Sequence, residues 1–64
     1  MNKSDLSDLA AQVVPLIPRA CAIRDAMPDG DGREHVDAAI SDLRSAIGEL
    51  RRAAEAWATE AVAR

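Results

Sequence analysis

Aromatic side chains are almost missing from this sequence: 64 residues contain no phenylalanine, no tyrosine and one tryptophan. Cysteine and histidine occur once each, as Cys21 and His35. A single cysteine excludes an intrachain disulfide, and no Cys/His cluster exists to hold a structural metal, so no cofactor is expected. Basic excess is missing too. Residues 1–32 carry three basic and five acidic side chains and residues 33–64 carry five and six, which argues against a nucleic-acid or membrane-surface binder. No apolar run is expected to approach the roughly 18–20 residues of a membrane span, because Pro15 and Pro18 interrupt the longest one. The opening Met-Asn-Lys-Ser-Asp lacks the regions of a signal peptide. The expectation is a cytoplasmic protein of a bacterial or phage-infected cell.

What is present is apolar and mostly small. Apolar residues make up 48% of the chain, and many of them are alanine, which builds helix well but buries little area per residue. A chain this short buries only about 60% of its unfolded surface. With disulfides and metal set aside, self-association is the remaining source of stability.

Two periodic segments flank the break Met27-Pro28-Asp29-Gly30-Asp31-Gly32. Proline cannot donate a helical N–H, and the glycines supply turn conformations. The first segment places Leu6, Leu9, Val13, Leu16, Ala20, Ile23 and Met27 at alternating steps of three and four, with Ala10, Val14, Ile17 and Cys21 beside them. Ser4 is its expected N-cap. Pro15 and Pro18 fall away from that seam and either kink the helix or split it. The second segment repeats the pattern with Val36, Ile40, Leu43, Ile47, Leu50, Ala54, Trp57 and Ala61. A flanking stripe of Ala39, Ala46 and Ala53 recurs every seven residues and allows another helix to approach closely. Arg51–Glu55 and Glu60–Arg64 are expected as i,i+4 pairs.

The expected architecture is therefore all-α, a single antiparallel two-helix hairpin domain over residues 1–64 that assembles into a helical-bundle oligomer. Its first helix spans about 4–27, its turn 28–32 and its second helix about 33–63. Antiparallel pairing sets Ile23 against Ile40, Leu16 against Ile47 and Val13 against Leu50. The second helix then overhangs with Ala58, Ala61 and Val62 beside Trp57, an expected subunit contact.

Candidate chemistry is sparse. Carboxylates are scattered, Cys21 adjoins the apolar seam and His35 starts the second helix, so no nucleophile, base and orienting group come together and no enzyme is expected. The turn leads into a helix N-terminus that would attract an anion, but Asp29, Asp31 and Glu34 repel one. Arg44 and Arg51 lie seven apart beside the apolar seam, with Arg52 adjacent; between copies they could converge on an anionic ligand, or they could lay their stems over the core.

Arg33, the run Ala39-Ile40-Ser41-Asp42-Leu43, and Leu50, Arg52 and Ala53 resemble the second helix of the phage hairpin sponges of the anti-CBASS and anti-Thoeris type. In that family an Ala-x-(Ser/Thr)-Asp-Leu stretch and a Leu-x-Arg-Ala follow an arginine-bearing turn. The likeness spans about a third of the chain. The sequence departs from the family in lacking its aromatic and methionine residues here and in continuing through Ala54–Arg64. The resemblance implies an oligomer of hairpins that sequesters cyclic nucleotide immune signals between subunits. It carries Arg44 and Arg52 over as the ligand contacts to test first and Asp42 as a structural or polar partner. A protein-binding hairpin (antitoxin-, chaperone- or scaffold-like) is the alternative, with a Rop-like RNA-binding bundle behind it.

Overall fold

The computed structural model describes residues 2–63 and the side chains of residues 2–60. It is all-helical: α1 over Lys3–Val13, α2 over Leu16–Ala26 and α3 over Asp31–Ala63, with no strand among the described residues. The arm formed by α1 and α2 folds back along α3 and makes a rod 53 Å long, 16 Å wide and 12 Å thick.

Local chemistry sets each boundary. Helix α1 is capped by Asn2 and not by Ser4, because Asn2 and Asp5 form a reciprocal capping box. The Ser4 N–H donates to Asn2 Oδ1 at 2.8 Å, and the Asn2 N–H donates to Asp5 Oδ2 at 2.7 Å. The arm splits at Val14-Pro15. Both residues keep right-handed helical dihedrals, so the break leaves the rotational phase of the arm nearly unchanged. Pro15 has no N–H to give, and Ile17 instead donates to the Val14 carbonyl at 3.2 Å. Pro18 falls in the first turn of α2, where an amide N–H would have no helical partner anyway.

The turn is shorter than expected. Gly30 adopts φ of 152°, and the Glu34 N–H donates to its carbonyl at 3.1 Å, which brings Asp31 and Gly32 into α3. Arg33 pairs back to Asp29 at 2.8 Å, and the Met27 methyl lies 3.3 Å from where a Cβ on Gly32 would stand.

The antiparallel sense is marked at both ends. Arg24 Nη1 donates to Asp37 at 3.1 Å, and Lys3, Ser4 and Ser7 share a cleft with Arg51, Ala54, Glu55 and Ala58. Residue 24 is thus level with residue 37, and residues 3–7 lie alongside residues 51–58.

On α3 the seam is the expected one: Ile40, Ile47 and Ala54 are buried, with Val36, Leu43 and Leu50 half-buried between them. On the arm it holds in part: Leu6, Val13, Ala20 and Met27 keep their expected places, and Leu9, Leu16 and Ile23 do not. Ala10 is buried, and Leu6, Val13, Ile17, Ala20, Cys21, Arg24 and Met27 are half-buried. Leu9, Leu16 and Ile23, expected in the core, are 46%, 40% and 61% exposed. The arm has turned so that the residue after each of these three, Ala10, Ile17 or Arg24, faces α3. The small Ala10 side chain lets α1 lie close to α3. Arg24 reaches Asp37 across the seam, and its hydrogen bonds to Asp37 and then Asp25 raise the guanidinium pKa above its ordinary value.

The prolines interrupt the apolar stretch of the arm less than expected. Taken through the break, Lys3–Ala26 is long and apolar enough by length and composition to cross a bilayer: its best 18-residue window has mean hydropathy 1.3. Only 6% of that window is buried within the molecule.

Candidate functional site

Helical geometry decides which of the exposed apolar residues share a side. Leu9, Leu16 and Ile23 each precede by one residue a position on the arm's contact line, so they stand about 100° round the helix from it. Ala39, Ala46 and Ala53 each precede Ile40, Ile47 and Ala54, and have the same offset on α3. An antiparallel helix pair has a local two-fold normal to its plane, and equal offsets therefore come to the same side. All six residues are exposed. The half-buried Leu43 and Leu50 and the 39% exposed Trp57 edge the same strip, which makes one continuous apolar face.

The opposite side is polar. Ser4 and Ser7 on α1 and Arg51 and Glu55 on α3 lie on the other side of the contact line and line an open cleft of about 330 Å³ floored by Ala54 and Ala58. Val14, exposed at the break, is the large apolar side chain there, with the smaller Ala11 and Pro18 also exposed on this side. The expected overhang is partly covered, since Ala58 is half-buried in this cleft beside α1. Ala61 and Val62, and the partner of Glu60 at Arg64, lie outside the described side chains.

The four ligand candidates do not form one site within a copy. Arg44 and Arg51 lie on the cleft side of α3, one heptad and about 10.5 Å apart along the axis. Arg52 and Asp42 point away from the arm, and all four are exposed. Arg52 is engaged with Glu49, its hydrogen-bonding neighbour one turn back. The expected Arg51–Glu55 pair is not formed, although both side chains line the cleft. Arg51 and Lys3 therefore face the cleft with no carboxylate partner among the described residues, whereas Arg24, Arg33 and Arg52 each have one. Cys21 is half-buried on the seam and His35 is exposed. No group of three or more His, Cys, Asp or Glu side chains is arranged to hold a metal among the described residues.

The alanine stripe was expected on the surface, but its companion on the arm was not. The signal was there in the seven-residue spacing of Leu9, Leu16 and Ile23, each followed by a residue equally able to face α3. Lys3, Ser4 and Ser7 were also missed, because the expected pairing ran about two residues out of the observed register and left this end of the arm without assigned partners. Set against protein-family models, curated proteins and solved structures, the chain matches none.

Proposed function

We propose that the chain is a non-enzymatic binding protein that works as a homo-oligomer of helical hairpins. The observation that carries this reading is the continuous apolar face, which a single copy leaves in water. Among the described residues only Ala10, Ile40, Ile47 and Ala54 are buried, and two of these are alanine. So small a core is marginal for an isolated domain of this length, and covering the face adds what is missing. Dilution tests the reading: helicity by circular dichroism and mass by light scattering should fall together. A chain that stays fully helical at the mass of one copy contradicts it.

A second reading concerns what the assembly binds. The cleft holds Lys3 and Arg51, neither paired with a carboxylate among the described residues, with the hydroxyls of Ser4 and Ser7; its one carboxylate, Glu55, is outnumbered by the two cations, and this set suits a small anion. With the likeness to the hairpin sponges, it supports sequestration of a cyclic nucleotide without cleavage. A melting-temperature screen against cyclic nucleotides addresses this directly. Stabilisation by one of them that is lost in Arg51→Ala supports the reading, and an unchanged melting temperature with all of them removes it.

A further inference from the structure

We infer that the apolar face is covered by a single second copy, related by a two-fold axis that runs along the rod, with the arm of each copy seated on α3 of the other. This rests on the self-association proposed above and adds the copy number, the face and the pairing.

The number two follows from one-sidedness. The apolar strip occupies one side of the hairpin, and Lys3, Ser4, Ser7, Arg51 and Glu55 occupy the other. A surface that is self-complementary on one side only closes as an isologous pair and leaves no second apolar side for a ring or filament. The three levels from Leu9 to Ile23 span about 21 Å of the 53 Å rod, so a strip 16 Å wide is on the order of 400 Å², a patch of the size that marks an interaction site.

The pairing follows from register. Within one copy, residue 24 is level with 37, and residues 3–7 line one cleft with residues 51–58. That register puts Leu9, Leu16 and Ile23 within one residue, about 1.5 Å, of the levels of Ala53, Ala46 and Ala39. A two-fold axis along the rod keeps heights unchanged and exchanges left for right. Each Leu or Ile of the arm then stands over an alanine of the partner's α3, so a ridge of large side chains meets a groove of small ones at three successive levels about 10.5 Å apart. The other two-fold, across the rod, would stack arm on arm and alanine stripe on alanine stripe, leaving a gap at one and crowding at the other.

A bilayer is the competing occupant, since Lys3–Ala26 has the length and apolar content of a span. The alanines decide against it. Small residues at heptad spacing admit a close helix but bring little apolar area to lipid, and the net charge of −3 opposes an anionic surface.

Cysteine cross-linking in a Cys21→Ser background tests the arrangement. Leu16→Cys with Ala46→Cys should oxidise to a covalent species of twice the 6.8 kDa chain mass, while Leu16→Cys alone and Arg51→Cys alone should not. Both positions of the pair are exposed, and circular dichroism checks that the variants remain helical. Efficient cross-linking through Leu16→Cys alone would overturn the lengthwise axis yet leave self-association standing. A wild-type protein of three or more copies would overturn the inference in the same way. A wild-type monomer, or a monomer that co-sediments with phosphatidylcholine vesicles, would overturn both this inference and the self-association beneath it.

Discussion

At the scale of single residues, the least settled positions are those where the backbone or a charge works against the helix. Gly48 lies inside α3, and a Cβ there would stand 3.5 Å from the flexible Arg52 guanidinium, an ordinary contact. Gly48→Ala is therefore expected to stabilise the fold by about 0.5–1 kcal/mol, read as a higher urea midpoint, because alanine loses less backbone entropy on folding. The residue is on the cleft side, so the gain should appear without a change in mass. Arg24 occupies a seam position that an apolar residue would fill. Its ion pairs are partly exposed to water, where such pairs add little. Arg24→Met is expected to raise the melting temperature, whereas Arg24→Glu, facing Asp37 and Asp25, lowers it. A guanidinium pKa raised in the folded state stabilises at every pH below the unfolded value and is lost only above the folded one. Titration up to about pH 10 should thus leave this contact intact, as near-constant helicity would show.

At the scale of elements, α3 and the arm differ in how openly the sequence declares them. Along α3 one apolar line runs uninterrupted from Val36 to Ala54 beside a line of alanines, and size alone tells which faces the arm. The arm has two lines of similar strength, Leu9-Leu16-Ile23 and Ala10-Ile17-Arg24. Hydrophobic periodicity favours the first; close packing of Ala10 and the pull of Asp37 on Arg24 favour the second. Both act through the tertiary partner and so leave no trace in the local pattern. Pro15 is the other source of ambiguity, since it forbids one helical hydrogen bond but not helical dihedrals. Pro15→Ala restores an N–H able to reach the Ala11 carbonyl, four residues back. It is expected to join α1 and α2, raise helicity and stabilise the hairpin by about 1–3 kcal/mol. Unchanged or lower helicity would contradict this.

At the scale of the whole molecule, a thin internal seam is mismatched to an uncovered apolar face, and the proposed assembly would relieve that mismatch. The fold class and the α3 seam were legible in the sequence. Which side of the hairpin is apolar was not, because it depends on the rotation of the arm and on the register between residues far apart in the chain. The arginines were legible only as residues, since their separation onto the cleft side and the outer side of α3 is a property of the pair. If assembly supplies part of the stability, the melting temperature must depend on protein concentration, and each tenfold dilution should lower it. The most direct test is sedimentation equilibrium at micromolar concentration on the wild type, Leu16→Glu and Arg51→Glu. The expected result is a wild-type mass of two copies, retained in Arg51→Glu on the polar side and reduced to one copy in Leu16→Glu. A wild type that sediments as a folded single copy, or a Leu16→Glu variant that keeps the wild-type mass, would contradict it.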